Sequence, residues 1–206
     1  MFTSKLITAT VILAGIWQLG SGAYIHAKAS LAQYLLGQAW HRSLAGEERV
    51  RPWPWADTWP VARLSIPEQD IDMIVLAGVA GRTLAFGPGH MSASPMPGRQ
   101  GNSVIAGHRD THFLFLKQLT VNDHIAVETA TGDHYWFKVV EIGITDTRLS
   151  KIQLDTEGEL LTLVTCYPFD AIEPGGPLRY VVVARRMEGH EFGDTRALTA
   201  ALATAP

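Results

Sequence analysis

The pattern of hydrophobic and polar positions predicts a series of short strands from residue 61 onward. Some segments alternate apolar and polar residues, as in strands with one buried face, and others are short runs rich in β-branched residues. The predicted strands are VARLSI (61–66), MIVLAG (73–78), SVIAG (103–107), HIAVET (124–129), YWFKVVEIGI (135–144), ELLTLVTC (159–166) and RYVVVARR (179–186). Many short strands joined by turn-rich segments predict a mainly β domain, closed or nearly closed into a barrel.

The segments between these strands predict little helix. Residues 83–102 and 145–158 are rich in turn-forming or polar residues and are expected to be loops. Between residues 110 and 119, apolar residues recur at helical spacing after Asp110 or Thr111, either of which can cap a helix. Helical spacing also extends over residues 27–49, until three prolines in residues 51–60 interrupt it.

The N-terminus contains an uncharged stretch, residues 6–25, preceded by Lys5. Twenty helical residues rise about 30 Å, the thickness of a bilayer core, so the stretch predicts a single-pass membrane anchor with a cytoplasmic N-terminus. A cleaved signal peptide is the alternative, because the most apolar part is short and Ala27-Lys28-Ala29 resembles a cleavage site. Both interpretations place the domain outside the cytoplasm, in the periplasm if the source is Gram-negative.

Four segments follow from these patterns. Residues 1–26 form the cytoplasmic start and the anchor, and residues 27–60 a helical linker with a strap rich in Trp and Pro. Residues 61–186 form the barrel, and residues 187–206 a flexible tail. The strap carries Trp53, Trp55 and Trp59, which either pack at the edge of the domain, contact a membrane interface or cover a groove.

Composition narrows the classes of protein. The chain of 206 residues has 17 Lys and Arg against 20 Asp and Glu, so it lacks the basic field expected of a nucleic-acid-binding protein. Its single cysteine, Cys166, excludes an intramolecular disulfide and every metal site built from several cysteines. A lone thiol outside the cytoplasm is either a small buried apolar side chain or a nucleophile.

Three residues with complementary chemistry stand at strand ends. His108 follows one predicted strand, Cys166 ends another and Arg179 begins the last. If the last two strands are antiparallel neighbours, Cys166 and Arg179 lie at the same end of the sheet, whereas nothing fixes His108 there. A thiolate can attack a carbonyl, an imidazole can carry the proton and a guanidinium can donate to the oxyanion.

The segments around these residues resemble the sortase family. TLVTC (162–166) is similar to the sortase signature TLxTC, NSVIAGH (102–108) to the strand that delivers the sortase histidine, and Arg179 lies where sortases place their arginine. The resemblance covers about residues 61–186 and implies an eight-stranded sortase β-barrel. With RPWPWAD (51–57) included, the details are most similar to the compact sortases of Gram-negative bacteria, near class D.

The resemblance implies a membrane-anchored cysteine transpeptidase. Cys166 would attack the Thr–Gly bond of an LPxTG-type sorting signal on a substrate protein, forming a thioacyl enzyme that an amine on a cell-surface acceptor resolves. His108 would be the general acid and base, Arg179 would stabilise the oxyanion, and Thr165 would support substrate or oxyanion binding. No cofactor, metal or nucleic acid enters this mechanism.

Other functions remain open at this point. A pilin-polymerising sortase often carries a lid with an aspartate followed by an aromatic residue, whereas here Asp57 precedes Thr58. A cysteine hydrolase would share the nucleophile without transferring the acyl group to an amine. A tethered binding barrel would have no use for the matched His, Cys and Arg motifs.

Some histidines and carboxylates also have to be considered as metal ligands, and two charged residues lie next to His108. His108 and His112 have the spacing of zinc ligands on one helical face, but Gly107 predicts that His108 precedes the helix and no HExxH pattern occurs. Carboxylates in or near the 145–158 loop could attract calcium, although a solvated loop is the favoured interpretation; they are Asp146, Asp155, Glu157 and Glu159. Arg109 and Asp110 are expected to form a solvated pair or a helix cap.

Overall fold

A closed barrel of eight strands forms the centre of the protein in the computed structural model, which describes residues 2–171, 173 and 175–187. The strands are β1 (Pro60–Ile66), β2 (Ile71–Ala77), β3 (Gly89–His90), β4 (Gly101–Ala106), β5 (His124–Thr129), β6 (His134–Asp146), β7 (Glu159–Cys166) and β8 (Leu178–Arg186). Their order around the barrel is β1-β2-β3-β4-β7-β8-β6-β5, closed by antiparallel pairing of β5 with β1. The eight-stranded barrel implied by the resemblance is confirmed.

Burial explains why these segments are strands. Along β7, the apolar residues Leu161 and Leu163 point into the core, and Val182 and Ala184 of β8 do the same. The predicted strands agree with the observed ones to within two residues at each end. The exception is β3, whose two residues fall inside the segment expected to be loop, because it exists only through its pairing with β2 and β4.

The helix predicted between residues 110 and 119 is wrong. The chain forms turns after His108 and then a 3₁₀ helix, Leu114–Gln118, whose N-cap Phe113 makes no side-chain capping bond. Phe113 and Leu116 are fully buried in the barrel core, so packing decides the backbone here. A Cβ on Gly107 would lie 2.7 Å from the Phe113 ring, which explains why a glycine precedes His108.

One helix, α1 (Phe2–Leu44), precedes the barrel. Its C-terminal half packs against the rest of the protein through Ala32, Leu36, Ala39, Trp40 and Ser43, which are buried at helical spacing. Gln33 Nε2 also donates a hydrogen bond of 2.8 Å to the Phe86 carbonyl oxygen. Over the part of the chain that the structure describes, no helix combines the length and the hydropathy needed to cross a membrane, so the predicted spanning helix is not found.

The strap of residues 51–59 lies beside the short helix α2 (Gly81–Leu84). The Trp53 ring packs edge-on against Phe86 at a centroid distance of 4.9 Å, and Asp57 forms an ion pair with Arg82. Trp59 lies beneath the Arg49 guanidinium at 5.5 Å, whereas Trp55 is 83% exposed. The packing interpretation is therefore confirmed for Trp53, whereas half-buried Trp59 lines a groove together with Arg49. The tail expected over residues 187–206 lies outside the described residues, apart from Met187.

A buried histidine holds the connection between β3 and β4. His90 Nε2 lies 3.0 Å from the Pro95 carbonyl oxygen, which can only accept, so this nitrogen carries the proton. Ser94 Oγ lies 3.2 Å from the same nitrogen and accepts a hydrogen bond from the Val104 amide. Burial is the main reason that the pKa of His90 is lowered, and the hydrogen bond to Pro95 opposes it.

We expect His90 to make the stability of the protein dependent on pH. Because its folded-state pKa is lowered, the unfolded chain binds more protons below about pH 6.5, and the free energy of unfolding falls as the pH drops there. One such group contributes at most about 1.4 kcal/mol per pH unit. Urea unfolding at pH 7.5 and 5.5 should show a smaller fall in His90→Gln than in wild type, with the exposed His41→Gln as control. An unchanged fall in His90→Gln would assign the dependence to other groups.

Candidate active site

Cys166 lies at the centre of three neighbouring strands. It is the last residue of β7, which pairs with β4 on one side and β8 on the other. In the antiparallel β7–β8 pair, Cys166 is directly opposite Arg179. The prediction that these residues share one end of the sheet is confirmed, and the thiol is half-buried.

His108 reaches the same end of the barrel because β4 and β7 are parallel. Ala106 is the register partner of Val164, and the Gly107 amide donates a hydrogen bond of 3.2 Å to the Val164 carbonyl oxygen. His108 lies two residues beyond Ala106, as Cys166 lies two beyond Val164, so the two residues leave their strands at one level. The His108 carbonyl accepts a hydrogen bond of 2.9 Å from the Phe113 amide, which fixes the turn that carries the exposed imidazole.

Thr165 links these two strands. Its side chain is only 3% exposed and its hydroxyl donates a hydrogen bond of 2.7 Å to the Gly107 carbonyl oxygen. The bond joins the residue before the cysteine to the residue before the histidine. In the free protein the hydroxyl therefore has a partner within the barrel, and the predicted contact of Thr165 with a substrate stays a prediction.

The Arg179 guanidinium is held by main-chain oxygens of the connection that precedes it. Nη1 donates hydrogen bonds of 2.7 Å to Gly176 and 2.9 Å to Leu178. These bonds orient the half-buried guanidinium at the level of Cys166. A guanidinium has five N–H donors, so the contacts of Nη1 leave donor capacity for a ligand at this end of the sheet.

An aromatic cluster follows the cysteine. Tyr167 stacks on Tyr180 at 6.2 Å, and the Phe169 ring meets Tyr180 edge-on at 5.1 Å. Burial raises the pKa of Tyr180, with a smaller contribution from Tyr167, so the phenol is neutral at pH 7. The cluster lies on the core side of the sheet, since Phe169 and Tyr180 pack against the barrel core, whereas Cys166 and Arg179 alternate onto the outer face. The cluster was not among the predicted features of the site, although YPF (167–169) is an aromatic run in a connection otherwise rich in Pro and Gly.

A groove runs along the outer face of β7 and β8, below the connection of residues 147–158. It encloses about 460 Å³ and is lined by side chains that include Thr162, Val181, Ile152 and Thr156. Asn102 fastens the connection to the barrel, since its Nδ2 donates to the Gln153 oxygen at 2.9 Å and its Oδ1 accepts from Thr162 Oγ1 at 2.7 Å. Thr162, Val164 and Cys166 alternate onto this face, and the lining of the groove on β7 ends at Thr162, four residues before the cysteine.

The carboxylates considered for calcium are already engaged in part. Asp146 accepts hydrogen bonds from Arg148, which lower the pKa of its carboxyl. Glu159 forms an ion pair with Arg186. Within the residues that the structure describes, no group of three or more His, Cys, Asp or Glu side chains is arranged to hold a metal ion.

The burial and the partners of Arg109 differ from those predicted. Instead of forming a solvated pair with Asp110, it is 7% exposed, and its guanidinium donates to main-chain oxygens of Pro168 and Ala171. Only Asp110 is exposed, at 3.3 Å from Arg109 Nε. The partners of Arg109 are about 60 residues away along the chain, so no local pattern could have revealed them.

Comparison with known proteins gives the class of the chain. The sequence model described as the Sortase domain matches residues 64–187, more than half of the chain. The chain therefore belongs to the sortase family.

Individual relatives agree with this assignment. The chain is 32% identical to Sortase D of Bacillus subtilis over 125 residues, which are 60% of this chain and 62% of that protein. A Sortase D5 transpeptidase from Clostridium perfringens has a similar structure, with a TM-score of 0.55 and 27% identity over 63% of this chain and 80% of that one. Sortase A from Corynebacterium diphtheriae gives 0.56 and 29% over 65% and 63%.

Proposed function

We propose that the protein is a cysteine transpeptidase that cleaves an LPxTG-type sorting signal between Thr and Gly and transfers the acyl group to an amine. The observation that carries the proposal is the register of β4, β7 and β8, which brings His108, Cys166 and Arg179 to one end of the barrel. Membership in the sortase family supports the same chemistry. The groove lies on the same face of β7 as Cys166, and we propose that a peptide bound in it extends along the strand to the thiol.

The proposed reaction has two halves. The Cys166 thiolate attacks the Thr carbonyl carbon, and the resulting oxyanion accepts hydrogen bonds from Arg179. His108 gives a proton to the Gly nitrogen as the C–N bond breaks, leaving a thioester between Cys166 and the Thr acyl group. An amine then attacks the thioester, His108 takes its proton, and the thiolate leaves as the new amide forms. Thr165 acts by holding the ends of β4 and β7 together.

Mass spectrometry of the intact chain tests this proposal. Incubation with an LPxTG-type peptide should add the mass of the acyl fragment at Cys166, the only cysteine, and an added amine should remove it as an amide product. Incubation with the same peptide carrying a D-residue at the Thr position serves as the substrate control. The absence of any adduct or product across LPxTG-type peptides would reject the transpeptidase.

The response to an added amine distinguishes a transpeptidase from a cysteine hydrolase. If the adduct forms but an added amine never diverts the product from the free acid, the protein is a hydrolase. We favour transfer because the chain belongs to the sortase family and the similar structure from Clostridium perfringens is named as a transpeptidase.

We propose that, among the classes of sortase, the chain is most similar to class D. The relatives named Sortase D and Sortase D5 support this placement. The strap supports class D over a pilin-polymerising sortase, whose lid would cover the groove. Asp57 instead pairs with Arg82, and Trp53 packs on Phe86; none of these four residues lines the groove along β7 and β8. A source among Gram-negative bacteria remains part of the proposal.

We also propose that the catalytic domain works outside the cytoplasm, with the N-terminal half of α1 at the membrane. Large apolar side chains there are exposed, among them Ile12, Ile16 and Trp17. The full chain should remain with membranes after carbonate extraction, whereas a chain lacking residues 1–26 should be released. A soluble mature chain with a new N-terminus near Ser30 would contradict retention and indicate a cleaved signal peptide.

Replacing Arg179 by lysine should greatly slow turnover. Lysine keeps the charge, but an ammonium cannot reproduce the forked donors that serve an oxyanion and a neighbouring carbonyl together. Loss of one oxyanion donor costs roughly 2.7–4 kcal/mol, about a hundred- to a thousandfold in kcat. Steady-state transpeptidation should show this loss in Arg179→Lys and not in Arg185→Lys, an exposed position on the same strand. If folded Arg179→Lys keeps more than about a third of the wild-type kcat, a loss under about 1 kcal/mol, Arg179 is not the oxyanion donor.

A further inference from the structure

Arg109 is a buried cation whose donors are directed at one segment of main chain. Nη1 donates a hydrogen bond of 2.8 Å to the Pro168 oxygen, and Nη2 donates to the oxygens of Ala171 at 2.5 Å and Glu173 at 3.3 Å. A buried charge costs free energy unless it is fully hydrogen-bonded, so these bonds are what makes the position tolerable. Among the residues that the structure describes, its carboxylate partner is that of exposed Asp110, at 3.3 Å from Nε.

The segment that Arg109 holds is the connection between Cys166 and Arg179. It begins immediately after the cysteine and ends at the arginine, and Arg109 itself is adjacent to His108. One side chain therefore joins the turn of the histidine to the loop between the other two residues. The remaining main-chain bonds of the described loop are few: Tyr167 N to Leu178 O at 3.1 Å, Ala171 N to Pro168 O at 3.4 Å and, near its end, Thr147 N to Pro177 O at 3.0 Å.

We propose that Arg109 is a positioning residue that clamps the connection between Cys166 and Arg179 against the turn that carries His108. Its contact with the reaction is indirect, since its terminal nitrogens donate to main-chain oxygens, its Nε donates to Asp110, and its side chain is buried. The clamp keeps in place the connection whose Gly176 oxygen orients Arg179 and whose Tyr167 and Phe169 rings pack on Tyr180. The link to turnover rests on the proposed function, whereas the clamp itself does not.

The guanidinium is required by this geometry. Three acceptors surround two terminal nitrogens, a pattern that a planar fork with fixed donor directions can satisfy. A lysine at 109 keeps the charge but places a single ammonium, which cannot reach the oxygens of Pro168, Ala171 and Glu173 in the same way. Methionine keeps most of the length and apolar volume while removing every donor, so it isolates the hydrogen bonds from the packing.

Hydrogen exchange of the full chain, followed by mass spectrometry, tests the clamp without a substrate. In Arg109→Met, peptides covering residues 167–171 should exchange at least tenfold faster, and peptides from β4 and β5 should stay within twofold of wild type. In Arg109→Lys, the exchange rate of residues 167–171 should fall between those of Arg109→Met and wild type. Arg82→Met, which removes an exposed arginine paired with Asp57, should leave the loop unchanged. Wild-type exchange of residues 167–171 in Arg109→Met would overturn the clamp.

Steady-state transpeptidation decides whether the clamp serves the reaction. Positioning predicts at least a tenfold fall in kcat for Arg109→Met, a change in KM below threefold and an unaltered circular dichroism spectrum. Faster loop exchange with wild-type kcat would overturn the positioning role. If Arg109→Met does not fold, the same two readouts on Arg109→Lys decide, with wild-type values in both overturning the proposal. Absence of turnover in the wild-type chain would count against the transpeptidase alone, because the exchange measurement stands without it.

Discussion

Replacing Cys166 by alanine is expected to abolish turnover while leaving the barrel folded. The proposed mechanism passes through a thioester on this sulfur, and the chain contains no second thiol to replace it. Removing the nucleophile of a covalent mechanism costs at least about 10⁴-fold in kcat, because the remaining groups only bind and polarise the substrate. The peptide adduct seen by mass spectrometry should disappear in the same variant.

The fold should survive this change. Cys166 is half-buried at the end of β7 and is absent from the core cluster of the barrel, so the loss in the free energy of unfolding should be on the order of 1 kcal/mol. Urea unfolding measures this loss, and Cys166→Ser provides a second variant with nearly the original volume. Turnover by a purified, folded Cys166→Ala chain at more than about 1% of the wild-type rate would end the nucleophile hypothesis.

Replacing His108 by alanine is expected to lower kcat by about 10²–10⁴-fold, since both proton transfers lose their carrier. His112 provides the matched control, because it is the same residue type four positions later and lies outside the strand ends that converge on Cys166. Its pKa is lowered, first by burial and then by the nearby charge of His108. We expect His112→Ala to retain kcat within about threefold, an effect of less than about 1 kcal/mol.

Chemical rescue distinguishes lost chemistry from lost structure. The His108 side chain is exposed, so alanine at this position leaves a space open to solvent. Added imidazole should restore part of the activity of His108→Ala and leave Cys166→Ala inactive. Equal losses of kcat in His108→Ala and His112→Ala would remove His108 from its proposed role. So would a His108→Ala variant that keeps the wild-type kcat and gains no rate from added imidazole.

The local pattern of the chain was sufficient for most of the strands. Alternation in residues 61–66 and 124–129 reflects one buried face, a property that each strand carries in its own residues. The motifs around Cys166 and His108 were equally local, and together with the position of Arg179 they gave the candidate nucleophile, histidine and arginine before any pairing was known. Helical spacing misled at residues 110–119, because Phe113 and Leu116 are apolar in order to fill the core between strands.

The sequence therefore predicted seven of the eight strands, the family resemblance and the candidate residues for the chemistry. The tertiary structure alone decided that parallel pairing of β4 with β7 brings His108 level with Cys166, that Thr165 bonds to Gly107, and that Arg109 reaches Pro168 and Ala171. The physical reason is the range of the interactions. Side-chain alternation is set by burial one residue at a time, whereas strand pairing and a buried arginine depend on partners about 60 residues away that meet only when the barrel closes.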